Sequence, residues 1–157
     1  MDERIAHHLE KCDEIWHAGD IGNIAVTDAL ERIAPVRGVY GNIDGGVLRK
    51  IFPLNQIFEV DGVKVFMTHI AGTPGRYPAR VSAEIRAHKP DIFVCGHSHI
   101  LLVKQNPAFN LLHINPGAAG IQGFHQMRTL LRMDIHQGKI ANLEVVELGK
   151  RAVTERI

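Results

Sequence analysis

The chain has 157 residues, so we expect a single domain over residues 1–157. Its 18 Lys and Arg residues against 17 Asp and Glu leave a net charge of +1, so no nucleic-acid polymer is expected as partner. No apolar run approaches the ~20 residues of a membrane span, so no membrane is expected either. Cys12 and Cys95 form no spaced motif, and two reduced thiols indicate a cytoplasmic protein. The 10 histidines are many for this length and suggest metal chemistry.

The first half of the chain alternates predicted helices and strands. Hydrophobic periodicity predicts helix 2–12, strand 15–18, helix 24–33, strand 36–40 and a hairpin of strands 51–60 and 63–67. The glycine-rich segment 41–46 is expected to be a loop. Asp61-Gly62 supplies the positive φ of a two-residue hairpin turn. The order strand, helix, strand predicts a parallel crossover.

The second half consists mainly of predicted strands. A helix at 79–88 precedes a buried strand at 92–95, and strands follow at 100–104, 111–114, 127–136 and 139–148. Residues 115–120 predict either a loop whose N–H groups approach an anion or an ordinary turn. The predicted fold is α/β, with a two-layer β-sandwich flanked by helices.

Polar side chains follow four of these strands where each strand ends. They are Asp20, Asn42, His69, and the pair His97 and His99. A single His-x-His is weak evidence for a metal site. Here, however, three other predicted strands also end in a polar side chain, which indicates one shared site at the carboxyl edge of a parallel sheet. This mixed nitrogen and oxygen set suits Mn²⁺, Fe²⁺, Zn²⁺ or Ni²⁺.

Asp20 has two oxygens and could bridge two cations about 3.5–4 Å apart. A hydroxide held between such cations is nucleophilic at neutral pH, and the cations stabilise the charge that develops on a phosphoryl group. The catalytic candidates are therefore Asp20, Asn42 and His97. Ser98 lies between two predicted ligands and Cys95 lies in a core strand, so neither is expected to act as a nucleophile.

The ordered motifs resemble the calcineurin-like metallophosphoesterases, and within them the small bacterial and archaeal phosphodiesterase branch that includes the retromer scaffold subunit. The motifs are Gly19-Asp20, Gly41-Asn42-Ile43-Asp44, His69, Gly96-His97-Ser98-His99 and Asn115-Pro116-Gly117. The resemblance implies a phosphodiesterase with two divalent metals, Mn²⁺ being the first choice. It also implies that Asp20 bridges both metals, that Asn42, His69 and His97 hold the second, and that His99 belongs to the first.

Two departures qualify this resemblance. The family begins with a strand ending in Asp-x-His, and no such motif precedes Asp20. We therefore expect that Met1 is internal to a longer natural chain whose first strand is missing here. The activity of the present chain is expected to be weak or absent. We also expect that the chain forms homo-oligomers or has a disordered first helix. Ile43 stands where many members have histidine, which disfavours monoester hydrolysis and favours a small phosphodiester substrate.

Other residues have weaker claims. Arg76, His125 and Arg128 could bind a substrate phosphate if their loops fold over the site, and a solvated side chain is the alternative for each. Asp44 is expected to brace the loop of Asn42. The main alternative to an enzyme is a non-catalytic protein-interaction scaffold of the same fold, and a protein that binds a single metal is the third reading.

Overall fold

The computed structural model describes residues 2–151. Its helices and strands are α1 (Glu3–Leu9), β1 (Ile15–His17), α2 (Ile24–Glu31), β2 (Val36–Gly38), α3 (Gly46–Ile51), β3 (Asn55–Val60), β4 (Val63–Thr68), α4 (Ala79–His88), β5 (Ile92–Val94), β6 (Leu101–Asn106), β7 (Leu111–Pro116), β8 (Met127–His136) and β9 (Lys139–Lys150). No helix in this described range is long and apolar enough to cross a membrane.

Two layers of strands pack face to face. One layer is a five-stranded sheet in the order β3-β4-β5-β7-β6, in which β4, β5 and β7 run parallel and the two edge strands are antiparallel to their neighbours. The other layer holds the parallel pair β1-β2 and the antiparallel pair β8-β9. Val65, Met67 and Val94 of the larger sheet pack against Trp16 and Leu131 of the second layer.

Helices cover both outer faces of the sandwich. On the five-stranded sheet, Val81 and Ile85 of α4 bury against Phe66 and Phe93. On the second layer, Leu9 of α1 and Leu30 of α2 pack with Ile15 of β1. The predicted α/β fold, a two-layer β-sandwich flanked by helices, is confirmed. The expected additional first strand stays a prediction.

Helix α1 is held against the β8-β9 pair by polar contacts. Asp2 caps the helix by accepting the Arg4 N–H at 3.0 Å, and its Oδ2 accepts a bond from Arg128 Nη1 at 2.7 Å. Arg4 Nη1 donates to the Leu148 carbonyl at 2.6 Å, and Arg132 Nη1 donates to the His8 carbonyl at 3.2 Å. These contacts give the first helix a defined position.

One predicted element is wrong in part. Residues 46–51 form helix α3, so the strand predicted from residue 51 begins only at Asn55, and the predicted loop 41–46 ends one residue earlier. Leu48 and Phe52 lie four residues apart and bury together against Ile21, which is helical spacing. The other predicted elements are confirmed to within a few residues, including the positive φ at Asp61 and Gly62.

His113 of β7 lies in a buried polar network behind the sheet. Its Nδ1 lies 2.8 Å from the Tyr77 hydroxyl, and its Nε2 lies 3.4 Å from Cys95 Sγ. The imidazole also stacks on the Tyr77 ring. Burial lowers the pKa of His113 from 6.5 to about 4. The His113 side chain is therefore neutral in the folded protein.

Protonation of His113 is expected to make folding pH-dependent. Between pH 6.5 and about 4 the unfolded chain binds a proton that the folded protein does not, so stability falls as pH decreases through this window and is fully retained above it. The loss amounts to about 3 kcal/mol over the whole window. Urea denaturation of wild type and His113→Phe at several pH values would measure it. The variant should have a flatter pH profile, whereas His7→Phe, at an exposed position, should keep the wild-type slope. Equal slopes in wild type and His113→Phe would contradict this assignment.

Candidate metal centre

Four loops meet at the carboxyl ends of two parallel strand pairs. Asp20 follows β1, and Asn42 follows β2, which runs parallel to it. His69 directly follows β4, and His97 follows the parallel strand β5. Because parallel strands end at one edge of their sheet, residues distant in sequence come together here.

The four side chains converge on a small volume. Asn42 Oδ1 lies 3.0 Å from His69 Nε2 and 2.9 Å from His97 Nδ1. Asp20 Oδ1 lies 3.2 Å from His69 Nε2. Ligand atoms of Asp20, His69 and His97 all lie within 4.8 Å of one another. His69 is buried while Asn42 and His97 are exposed, so the cluster is open to solvent on one side.

The hydrogen bonds of His69 show that this donor set suits a cation. Its Nδ1 lies 2.7 Å from the Ala18 carbonyl, which only accepts, so Nδ1 carries the proton of the neutral ring. The lone pair of Nε2 then points toward the oxygens of Asn42 and Asp20. The Nε2 lone pair and these two oxygens are three acceptors that face one another, and a divalent cation would satisfy all of them. A backbone carbonyl bonded to the other ring nitrogen is the usual orienting partner of a metal-binding histidine.

Three of the predicted ligands have left-handed backbone conformations. The φ angles are 54° at Asp20, 66° at His97 and 58° at His99. Such angles cost on the order of 1 kcal/mol or more in residues other than glycine, and they concentrate at functional sites. The surrounding structure therefore holds the backbone of these three residues in a conformation that residues other than glycine disfavour.

Two glycines allow the loops to approach one another. A Cβ added at Gly19 would lie 2.4 Å from His69 Nδ1, and one added at Gly41 would lie 2.1 Å from both the backbone N and Oδ1 of Asp20. A Cβ essentially never lies this close to a heavy atom to which it is not bonded. The loops of Asp20, Asn42 and His69 therefore require these glycines.

Asp44 braces the loop of Asn42, as predicted, and also the loop of Asp20. Its buried carboxylate accepts N–H bonds from Ile21 at 3.0 Å, Gly22 at 2.7 Å and Gly41 at 2.7 Å. Burial opposes the charge, but these bonds leave the pKa of Asp44 below its usual range. Asp44 is therefore an anion beneath the centre.

The buried ring of His17 lies within electrostatic range of the same anion. Among the buried side-chain nitrogens and oxygens of the described residues, only His17 Nδ1 has no hydrogen-bond partner. Burial lowers the pKa of His17, so this ring is neutral.

Asn115 belongs to the motif Asn115-Pro116-Gly117, and the structure shows a positioning role for it that its place in the motif did not predict. Its Nδ2 donates to the Gly96 carbonyl at 2.9 Å and lies 3.1 Å from Ser98 Oγ, so it supports the loop that carries His97 and His99. The available signal was a single amide side chain at the end of an otherwise apolar strand, directly before Pro116-Gly117.

The remaining candidates occupy different positions. His99 faces His125, with 3.3 Å between their Nδ1 atoms. Arg76 lies exposed in the loop before α4. Arg128 is only 2% exposed, and its guanidinium binds Asp2 and the Ala119 carbonyl. The substrate-binding role of Arg128 stays a prediction that this position does not favour, because its guanidinium is buried and already bound to Asp2.

Comparison with known proteins identifies the family. Residues 1–138 match the calcineurin-like phosphoesterase superfamily domain. The chain belongs to this superfamily. A probable metallophosphoesterase of Methanothermobacter thermautotrophicus is 27% identical over 155 residues, which is 95% of this chain and 84% of the relative. Another from Methanocaldococcus jannaschii is 22% identical over 151 residues, which is 94% of this chain and 73% of the relative.

Solved structures share the fold. Wild-type Vps29 from Entamoeba histolytica, complexed with Zn²⁺, matches with a TM-score of 0.70 at 17% identity and covers 94% of this chain and 89% of its own. A Streptococcus pneumoniae protein described as a predicted phosphoesterase matches with a TM-score of 0.71 at 18% identity and covers 98% and 84%. Superfamily membership and the names of the relatives indicate a phosphoesterase that binds divalent metal.

Gly41→Ala is expected to disrupt the centre, because the new Cβ collides with Asp20 and the Gly41 N–H is held by Asp44. We expect a loss of about 1–3 kcal/mol in stability and a reduced rise in Tm on addition of Mn²⁺. Thermal denaturation with and without the ion measures both effects. The matched control is Gly45→Ala, whose Cβ meets nothing within 4 Å. Equal behaviour of the two variants would contradict the close-approach requirement.

Proposed function

We propose that this protein is a metal-dependent phosphodiesterase that hydrolyses small phosphodiesters. The observation that carries the proposal is the convergence of Asp20, Asn42, His69 and His97 at an edge open to solvent. Superfamily membership supports the phosphoesterase class. The free cysteines, Cys12 and Cys95, support a reducing compartment, for which we propose the cytoplasm.

The donor set favours a borderline or hard divalent ion. It combines imidazole nitrogens with carboxylate and amide oxygens, and Mn²⁺ is our first candidate, followed by Fe²⁺, Zn²⁺ and Ni²⁺. No thiolate contributes, because Cys95 is buried in the sheet and burial raises the pKa of its thiol to about 12. The complete centre is proposed to hold two ions.

The bound ions, Asp20 and His69 would have different roles in hydrolysis. When bound, the divalent ions supply an acidified water and offset the charge on the phosphoryl group. Asp20 contributes negative charge to the cation site, and its Oδ1 is held by the Ile43 N–H at 3.2 Å. His69 is fixed by the Ala18 carbonyl, so its Nε2 needs no reorientation on binding.

The identity of residue 43 affects which phosphate esters the centre could hydrolyse. The backbone N–H of Ile43 donates to Asp20, but its hydrocarbon side chain, which is exposed beside Asn42, has no acidic proton to donate. A leaving alkoxide therefore receives no proton from this position. This supports substrates with good leaving groups, such as activated diesters, over alkyl monoesters.

Hydrolysis of bis-p-nitrophenyl phosphate tests the proposal. We expect weak turnover that requires added metal, is abolished by a chelator and is greatest with Mn²⁺. Asp20→Asn should reduce the rate about 100-fold, because it removes the anionic ligand. His88→Gln, at a position on α4, should match wild type. The phosphodiesterase would be rejected if, despite measured metal binding, none of the four metals supports turnover either in this chain or in one extended upstream by a strand ending in Asp-x-His.

A non-catalytic scaffold is the second candidate, favoured by exposed apolar side chains at the same edge. Four of them directly precede or follow a predicted site residue in the chain: Ile43, Ile70, Ile100 and Phe124. Ile100 is 66% exposed and Phe124 is 100% exposed. Clustered apolar exposure is typical of protein-binding surfaces. The Vps29 structures have the same fold and so support this alternative.

Serine substitution separates the two uses of these side chains. If Ile100 and Phe124 serve a protein partner, the double variant Ile100→Ser, Phe124→Ser should bind less of a hydrophobic fluorescent dye and keep the wild-type KM for bis-p-nitrophenyl phosphate. Val145→Ser changes a side chain on β9 that is 46% exposed, and it serves as the control. A several-fold rise in KM in the double variant alone would instead assign these side chains to the substrate.

A further inference from the structure

Four loops at the metal centre each carry a large apolar side chain directly beside a predicted site residue. These side chains, which we call the apolar rim, are those of Ile43, Ile70, Ile100 and Phe124, and their exposed fractions are 60%, 42%, 66% and 100%. Their chain neighbours are, in the same order, Asn42, His69, His99 and His125. Folding therefore leaves hydrocarbon in contact with water beside the polar centre.

Contacts between predicted ligands join the loops of three rim residues. Asn42 Oδ1 lies 3.0 Å from His69 Nε2 and 2.9 Å from His97 Nδ1. The first two of these residues directly precede a rim residue, and the third lies three positions before one. The backbone N–H of Ile43 also donates to Asp20 Oδ1 at 3.2 Å. Three rim residues are thus attached to one cluster of side chains.

The fourth rim residue, Phe124, reaches the same cluster through its neighbour in the chain. His125 Nδ1 lies 3.3 Å from Nδ1 of His99, which directly precedes another rim residue. The backbone of this loop is fixed on its other side, because Arg151 Nε donates to the His125 carbonyl at 3.1 Å. His125 Nε2 lies 3.0 Å from the Gly120 carbonyl. A fully exposed phenylalanine is therefore held at the metal centre by polar contacts of its neighbour.

Cationic side chains are scarce at this edge. The loops that leave the carboxyl ends of the strands here are 18–23, 39–45, 69–78, 95–100 and 117–126. Of the 18 Lys and Arg residues of the chain, only Arg76 lies within these five described loops. Two arginines of the adjoining helices already bind backbone carbonyls, Arg49 that of Asp44 and Arg80 that of Ile70. A substrate with several negative charges would meet a single uncommitted Lys or Arg in these loops.

A phosphodiester with hydrocarbon substituents matches this combination of groups. It carries one negative charge, on the phosphoryl oxygens, and its two substituents extend from the phosphate toward the surrounding loops. Hydrocarbon substituents gain free energy when they leave water against an apolar surface. Hydroxyl or charged substituents would lose hydration there without gaining a hydrogen-bond partner. The rim would therefore distinguish diesters by the groups that flank the phosphate.

We propose that the apolar rim selects small phosphodiesters with uncharged apolar substituents, alkyl or aryl, over diesters of sugars or nucleosides. The inference rests on the proposed function, which places the phosphate at Asp20, Asn42 and the histidines. It adds the substrate class, which the metal centre alone leaves open. It also assigns the rim to a small molecule in place of a protein partner.

Calorimetry with three dialkyl phosphates in the presence of Mn²⁺ tests the selection. Alkoxides are poor leaving groups, so these diesters report binding without turnover. Dipropyl phosphate should bind about tenfold more tightly than dimethyl phosphate, because its added methylenes contact the rim. Bis(2-hydroxyethyl) phosphate has the length and charge of dipropyl phosphate but ends in hydroxyls, and it should lose that gain.

A double variant locates the preference. Ile100→Ser, Phe124→Ser should bind dipropyl and bis(2-hydroxyethyl) phosphate about equally. Val145→Ser, at a side chain 46% exposed on β9, should keep the wild-type preference. The comparison of the three diesters in the wild-type chain needs no substitution, so it decides the proposal even if the double variant does not fold.

Three results would overturn the assignment of the rim. They are equal or unmeasurable binding of the three diesters by the wild-type chain, a preference for dipropyl phosphate that a folded double variant retains, and self-association in sedimentation that the double variant loses while the diesters bind equally. The last result would assign the rim to a second copy of the chain.

The proposed function fails separately. A preference for dipropyl phosphate in a chain that hydrolyses no diester would reject the phosphodiesterase and retain the rim as a binding site for apolar phosphodiesters. Hydrolysis of bis-p-nitrophenyl phosphate without that preference would retain the enzyme and reject the rim.

Discussion

The carboxylate of Asp44 accepts three backbone N–H bonds and so joins the loop that follows β1 to the loop that follows β2. A buried charge is costly unless its lone pairs are satisfied, and here donors from Ile21, Gly22 and Gly41 satisfy them. The two strands end side by side, but their loops would diverge without this anchor. Asp20 and Asn42 can face a common point because Asp44 fixes both loops from below.

The centre combines this anchor with backbone strain. Asp20, His97 and His99 each hold a left-handed conformation that the isolated residue disfavours. Asn115 supports the loop of the two histidines from the neighbouring strand. Strain of this kind persists only where packing and hydrogen bonds stabilise the loop by more than the strained backbone costs. The rigid sandwich thus stabilises a ligand geometry that local preferences oppose.

The same edge of the molecule joins polar ligands to exposed apolar side chains. Ile43 and Ile100 directly follow Asn42 and His99 in the chain, and both are more than half exposed. A metal centre attracts anionic groups, whereas exposed apolar side chains attract partners that remove them from water. One surface therefore combines groups that would suit a phosphoesterase with groups that would suit a protein-binding scaffold.

The sequence by itself determined the order of the elements other than α3 and the ligands at the strand ends, because hydrophobic periodicity and glycine positions are local signals. It identified Asp20, Asn42, His69 and His97, whose side chains do converge. Tertiary structure alone decided that Arg128 is buried against Asp2 and that His125 meets His99. Those outcomes depend on how segments far apart in the chain pack, and no periodic pattern encodes such long-range contacts. The sequence could therefore predict which residues end the strands, but not which loops fold back onto them.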